Sequence, residues 1–268
     1  MKELFFLGAG KMASAIAGGV VKSGLYNADD LSAFDISSQA CESFSALSAI
    51  KCCSNVAHGA EDASRVLVAV KPQMMESALS ELKDVLKDKL VISIAAGVSI
   101  AKLYELTGSN RIIRVMPNTP ALAGAGAAAF SASGGATAED KEFVQKLFGA
   151  VGIVTEVSEN LMDAVTGLSG SGPAYVFTFI QALADGGVAE GLSRTAALEL
   201  AVQTVLGAAK MVQNTGVHPM VLCDQVNSPA GTTGRALEVL ADNRFSATVI
   251  KSVRAAAARS RELGAKNE

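Results

Sequence analysis

The stretch that decides the fold is Leu4-Phe5-Phe6-Leu7-Gly8-Ala9-Gly10-Lys11-Met12-Ala13. Four apolar residues in a row read as a short strand buried on both faces, and Met12–Lys22 carries apolar residues at helical spacing. The turn between them has the pattern G-x-G-x-x-A. Gly8 permits a tight turn, Gly10 lets a pyrophosphate approach the backbone, and Ala13 lets helix and strand pack closely. The helix start adds free N–H groups and the positive end of its dipole. Strand, turn and helix in this order predict a dinucleotide site, which three glycine-like positions alone would not.

Working outward, Leu31–Phe34, Arg65–Val70, Leu90–Ile94 and Arg111–Val115 repeat the strand signal. Ser38–Leu47 and Met74–Leu86 repeat the helical one. Fully apolar strands alternating with helices predict a doubly wound α/β sheet, mostly parallel and covered on both faces. Ala127–Phe130 and Ile153–Val157 extend it, with a helix over Glu139–Phe148 between them. Strand signals then stop. Glu159–Gly264 reads as helices, so the expected division is a Rossmann-type dinucleotide-binding domain over 1–158 and an all-α domain over 159–268. Two of its helices, Ala174–Ala189 and Thr195–Gln213, are apolar nearly all round and need cover on every side. About a hundred residues of helix cannot supply that cover, which predicts an obligate homo-oligomer packed through this half.

Composition agrees with an enzyme-like globule. Of 268 residues half are apolar, and 23 Lys+Arg against 26 Asp+Glu leave a net charge of −3. That balance argues against nucleic acid or an anionic membrane as partner, both of which reward dense basic surfaces. Cys41, Cys52, Cys53 and Cys223 have no metal-site or redox-pair spacing and read as reduced fillers of a cytoplasmic chain. The uncharged stretches Val115–Ala138 and Ala164–Ala184 are long enough to span a bilayer, but both carry Pro and several Gly and read as buried protein. Glu3 and Lys11 interrupt the apolar N-terminus, which therefore does not read as a secretion signal.

The remaining chemistry sits at strand and helix ends. Asp35 follows the second strand, where an acidic residue accepts hydrogen bonds from the adenosine ribose and favours NAD over NADP. Ser37 and Ser38 are able to hydrogen-bond a phosphate instead, and a charge serving a helix start is a third reading of Asp35. Asn55, Ala69-Val70-Lys71-Pro72, Ala95-Ala96 and Asn118 lie at the carboxyl ends of strand segments, where open α/β sheets bind ligands. With Leu7, Gly8, Ala9, Gly10, Lys11, Met12, Asp35 and Ser37 they form the candidate cofactor set. Ser228-Pro229-Ala230-Gly231-Thr232-Thr233-Gly234 precedes a helix at Arg235–Leu240 and offers either an anion site or an ordinary capped helix start. The histidines are His58 and His218, and no Ser-His-Asp order, metal-ligand spacing or carboxylate cluster is present. Hydride transfer suits such a chain, since the nicotinamide carries the chemistry and no metal is expected.

Gly167-Leu168-Ser169-Gly170-Ser171-Gly172-Pro173-Ala174-Tyr175, Ala182–Gly187, Gly207–Met211, Ser228–Thr233, Ala69–Pro72 and Met116–Pro120 together resemble pyrroline-5-carboxylate reductase. The similarity runs from Leu4 to about Leu263. It implies reduction of Δ1-pyrroline-5-carboxylate to L-proline with NADPH or NADH, by dimers formed through the helical domain and assembled in some members into decamers. By the same resemblance Ser228, Gly231, Thr232 and Thr233 hold the substrate carboxylate, Thr233 reaches the ring nitrogen, and Glu159 lies close to the bound ring. The clamp helix comes from the neighbouring subunit. Ala230 stands where the family commonly has glycine, Gln225 where it often has asparagine, and Asp35 departs from an NADPH-binding pattern. The competing readings are another imine or β-hydroxyacid reductase, for which Lys210 is the sole mid-helix lysine in question, and a nucleotide-sensing protein without turnover.

Overall fold

A computed structural model describes residues 1–265, so the last three residues of the expected helical domain lie outside the described part. Seven strands form one sheet: β1 (Leu4–Leu7), β2 (Leu31–Phe34), β3 (Arg65–Val68), β4 (Leu90–Ser93), β5 (Ile112–Met116), β6 (Gly126–Ala132) and β7 (Gly152–Glu156). Their order is β2-β1-β3-β4-β5-β6-β7. Pairing is parallel except between β5 and β6. Two prolines, Pro117 and Pro120, begin that reversal, and Gly124 completes it at φ +69°.

Helices cover both faces. The first six are α1 (Lys11–Lys22), α2 (Ser38–Ser48), α3 (Val56–Glu61), α4 (Met75–Leu79), α5 (Lys83–Leu86) and α6 (Ile100–Thr107). After them come α7 (Ala138–Gly149), α8 (Met162–Val165), α9 (Gly172–Ala189), α10 (Arg194–Thr215), α11 (Pro219–Val226), α12 (Thr232–Asp242) and α13 (Phe245–Gly264). Alternation along β1 divides the core. Leu4 and Phe6 pack with Ile16, Phe44, Val144 and Phe148, while Phe5 and Leu7 pack with Leu79, Leu82, Leu86 and Leu103. Both sets are buried, which accounts for strands without polar positions.

The single helix expected over Met74–Leu86 is broken into a 3₁₀ turn at Pro72–Met74, then α4 and α5. Ser77 and Ser80 donate their hydroxyls to the Met74 and Ser77 carbonyls. Such local bonds compete with helix continuation. The cysteines are unpaired, and burial pushes the Cys52 thiol up to about 12, in keeping with a neutral filler.

By compactness the chain divides into Met1–Ser171 with the residues from Arg254 onward, and Gly172–Val253. In the second unit α9 and α10 pack on each other through Ala184, Ala197 and Ala201. Gly187 makes this approach possible, since a Cβ there would lie 3.3 Å from the Ala197 Cβ. Most of both helices is uncovered in one chain, including Phe177, Leu183, Leu198, Leu200 and Met211. The part of Ala164–Ala184 that lies on α9 is therefore not buried within one chain, contrary to expectation, because alanines give α10 a narrow seam rather than a broad contact. By length and mean hydropathy of 1.2, α10 alone among the described residues would pass as a membrane span, though its alanine seam is a protein contact.

A buried carboxylate helps tie the sheet to α7. Asp140, buried, accepts from Arg111 Nε at 3.0 Å and Nη2 at 2.6 Å, and from the Thr137 N–H at 3.0 Å. Burial pushes this carboxyl up, but the bonds from Arg111 and Thr137 together bring it below its usual value. A depressed carboxyl stabilises the fold above the unfolded value of about 3.9 and loses that contribution as pH falls through the lower folded value. Asp140→Ala is expected to cost about 2–3 kcal/mol at neutral pH in urea unfolding, with the difference vanishing in strong acid.

Candidate active site

Gly8 adopts φ +106°, and a Cβ on it would lie 2.9 Å from the Ala69 carbonyl carbon and oxygen. Neither the backbone angle nor the space admits another residue, so the turn can pass flat against the end of β3. Its N–H donates to Phe34 O at 2.8 Å. Gly10 then starts α1 with no side-chain cap and with open space where a Cβ would be. No side chain caps the first N–H groups of α1, a geometry that suits an anion. Asp35 braces the turn: Oδ2 accepts from the Ala9 N–H at 2.8 Å and Oδ1 from the Ser37 N–H at 2.9 Å. Ser37 in turn caps α2 by accepting from the Ala40 N–H.

These elements border a cleft of about 800 Å³. Of the expected cofactor residues it brings together Leu7, Gly8, Gly10, Asp35, Ser37, Ala69, Val70 and Lys71. Ala9 joins them through its bond to Asp35, while Lys11 and Met12 begin α1 and Pro72 opens the adjoining 3₁₀ turn. Phe34, Ile36, Ala40, Val56, Met74, Ser77, Ala78 and Glu81 complete the lining, and no sequence motif marks them as cofactor residues. A large apolar Ile36 between Asp35 and Ser37 was the one available signal, since it is 78% exposed.

Other expected residues lie elsewhere. Asn55 caps α3, its Oδ1 accepting from the His58 N–H at 2.9 Å. Ala95 is buried, and Ala96 lines a separate recess of about 220 Å³ with Gly97, Ser171 and Arg259. Asn118 is buried as a staple: Nδ2 donates to Ser169 O at 3.1 Å and Oδ1 accepts from the Ala127 N–H at 2.8 Å. Ser169 belongs to a π turn at Thr166–Gly170, and Pro173, four residues on, has no N–H to offer its carbonyl. Glu159 Oε1 accepts from the Ile100 N–H at 2.7 Å at the start of α6 and lies 3.4 Å from Arg114. His218 caps α11, accepting from the Met220 N–H through Nδ1.

In the second unit the Gly231 N–H closes a turn onto Ser228 O at 3.0 Å, and a Cβ on Gly231 would fall 2.3 Å from Ser228 Oγ. The hydroxyl therefore lies directly over this glycine. Ala230 holds φ +56°, the left-handed region that favours glycine. Next comes α12, whose cap residue Gly231 supplies no side-chain bond. Ser37, Ser99, Thr137, Ser193 and His218 cap α2, α6, α7, α10 and α11. No Ser or Thr side chain caps α12, a start compatible with the anion-site reading of Ser228–Gly234.

Comparison with known proteins covers nearly the whole chain. A family model described as pyrroline-5-carboxylate reductase dimerisation matches residues 159–263, and one described as NADP oxidoreductase, coenzyme F420-dependent, matches residues 3–97. A pyrroline-5-carboxylate reductase of Arabidopsis thaliana is 49% identical over 96% of this chain and 94% of its own. Among solved structures, the reductase of Coxiella burnetii aligns with a TM-score of 0.93 at 34% identity, covering 98% of each chain. That of Plasmodium falciparum, solved with NADP bound, gives 0.88 at 36% identity, again over 98% of each.

Left-handed alanine carries a strain of about 1–2 kcal/mol, which glycine relieves at the expense of a more flexible unfolded chain. Ala230→Gly is therefore expected to stabilise the protein by about 0.5–1 kcal/mol, read as a higher urea midpoint with unchanged slope.

Proposed function

The chain belongs to the pyrroline-5-carboxylate reductase family, and we propose how its residues carry the family's reaction, the NAD(P)H-dependent reduction of Δ1-pyrroline-5-carboxylate to L-proline that completes proline biosynthesis. The observation that carries the reading is two helix starts whose cap residue is a glycine with no side chain to offer, at Gly10 and Gly231. Each has a positive dipole end and first-turn N–H groups that no side chain caps, and the reaction brings together two anions, a pyrophosphate and a carboxylate.

When bound, the reduced nicotinamide supplies the hydride. The turn Gly8–Met12 and the start of α1 hold the pyrophosphate, Asp35 and Ser37 meet the adenosine ribose, and Ala69–Pro72 with Ala95 and Ala96 border the path of the dinucleotide. Asn55, Asn118 and Glu159 support neighbouring turns. At the start of α12, Ser228 Oγ and the N–H groups of Thr232 and Thr233 grip the substrate carboxylate, and Gly231, whose N–H closes the turn onto Ser228 O, places them. That grip fixes the ring's orientation, the main contribution open to a site without an acid–base pair. The Thr233 hydroxyl accepts from the protonated ring nitrogen and keeps the proton where the electron pair will settle. An iminium arrives already protonated, so no stronger acid is required.

Family membership sets aside the reading as another imine or β-hydroxyacid reductase. The helical module supports homo-oligomerisation, and in this reading the assembled dimer completes the active site. The proposal includes further assembly into decamers and a cytoplasmic location. For the cofactor we favour NADH, because the cleft lining sets Asp35 and Glu81 against Lys71 alone, a poor reception for a ribose 2′-phosphate.

Thr233→Ala is expected to lower kcat/KM for pyrroline-5-carboxylate about ten- to a hundredfold, the scale of one or two hydrogen bonds. An unchanged value removes Thr233 from the mechanism, and a wild-type protein that binds dinucleotide without turnover would revive the sensor reading. Asp35→Ala is expected to raise the kcat/KM ratio of NADPH to NADH. If that ratio stays put in steady-state assays, Asp35 braces the turn and does not read the ribose.

A further inference from the structure

Ser32 is a polar residue in a strand that is otherwise apolar. Leu31 and Ala33 pack on the side of the sheet that holds Phe6 and Phe44. Alternation therefore turns Ser32 to the other side, that of Phe5, its register partner on β1. There it is 9% exposed, and its Oγ is buried without a hydrogen-bond partner among the described residues. A buried hydroxyl left unpaired costs stability, and such groups are rare enough to ask for a missing partner. Ser32 does not face a filled core. It borders a recess of about 170 Å³ between the amino end of β2 and α3, away from Asp35 at the carboxyl end of the strand. Gly59 lets α3 lie this close, since a Cβ there would fall 2.6 Å from both Cys53 Sγ and the Phe5 ring.

The rest of the recess is basic. Lys2 is held by its backbone, whose N–H donates to Asp62 O at 2.6 Å and whose carbonyl accepts from the Ser64 N–H at 2.9 Å. Its Nζ donates to Asp29 O, just ahead of β2. Lys51 is tied to β2 itself, its carbonyl accepting from the Ala33 N–H at 3.3 Å. His58 adds an imidazole, and Asp62 a carboxylate that lies 3.6 Å from the Met1 amino group. Cys52 and Cys53 border the recess too, but their thiols donate to Cys41 O and Asn55 O. No group of three or more His, Cys, Asp or Glu side chains among the described residues could hold a metal ion. Two ammonium groups around an unpaired hydroxyl call for an anion instead.

We propose that this recess binds a small tetrahedral oxyanion of the size of phosphate, with the Ser32 hydroxyl donating to it and Lys2 and Lys51 supplying the charge. The volume admits such an ion, and the ion answers the one buried hydroxyl of the recess that the fold leaves unpaired. The site shares α3 with the dinucleotide cleft but none of its lining residues, and it does not depend on the reaction proposed above.

The test is isothermal titration of the full-length protein with inorganic phosphate, at saturating NADH so that the start of α1 is taken. Wild type is expected to bind one phosphate per chain with Kd of about 1 mM. Ser32→Ala is expected to weaken binding at least about fivefold and Lys51→Gln about tenfold. Urea unfolding adds a readout that a merely structural serine would not move. Without oxyanion, Ser32→Ala is expected to raise the midpoint, because it removes the unpaired hydroxyl; phosphate at about 20 mM is expected to raise the midpoint of wild type and leave that of the variant in place. Glycerol 3-phosphate titrated in parallel assigns the source, since the tighter of the two ligands shows whether the site takes the free ion or the head of a small ester. Neither heat nor a midpoint shift in wild type with either ligand means that the recess holds water only and overturns the proposal. Binding that both variants retain at wild-type strength places the anion elsewhere and overturns it equally.

Discussion

The first turn of a helix leaves N–H groups that its own backbone cannot satisfy, and the rest of this structure is arranged around where that need is met and where it is left open. Five of the longer helices answer it with a Ser, Thr or His side chain. Two, α1 and α12, begin after a glycine that can offer nothing. Both sites carry a cost in conformational constraint: Gly8 at φ +106° packed on Ala69, and Ala230 at φ +56° ahead of Gly231. Strain and unsatisfied donors together are what a fold accepts where a ligand will supply the missing partner.

In the proposed reading such ligands are small and anionic, and the chain's balanced charge leaves placed backbone dipoles rather than a basic surface to meet them. The same economy explains the lack of acid–base residues. Hydride transfer to an imine that is already protonated asks for position above all, and position is what rigid turns supply. The helical half adds another requirement. The α9–α10 pair has only an alanine seam between its members and leaves Phe177, Leu183, Leu198 and Met211 uncovered, an apolar face that suits the homo-oligomer its dimerisation module implies.

How far the sequence could be read depends on the distance over which each signal acts. Leu4–Leu7 and Leu31–Phe34 coincide with β1 and β2 because a strand buried on both faces has no polar position to blur its ends. Gly8 was legible as well, since its constraint is local. Met74–Leu86 was misread: apolar spacing favoured a continuous helix, while the hydroxyls of Ser77 and Ser80 favoured local bonds that spacing does not reveal. The place of Asn118 after a strand is legible, but that its amide bridges Ser169 and Ala127, at separations of 51 and 9 residues, is not. Ile36, Val56 and Glu81 share one cleft only through tertiary folding, and no motif connects them. Ser228–Gly234 lay between these cases. Its residues allowed a cap or an anion site, and only the absence of a capping bond on Gly231 separates the two.

Asp35 makes one further point about how such a site moves. One carboxylate holds the amide after β1 with one oxygen and the amide after β2 with the other. The two loops are thereby strutted together, and neither can drift without dragging its neighbour. The spacing of the two turns that border the crevice thus depends on a single side chain, and its loss would release both at once.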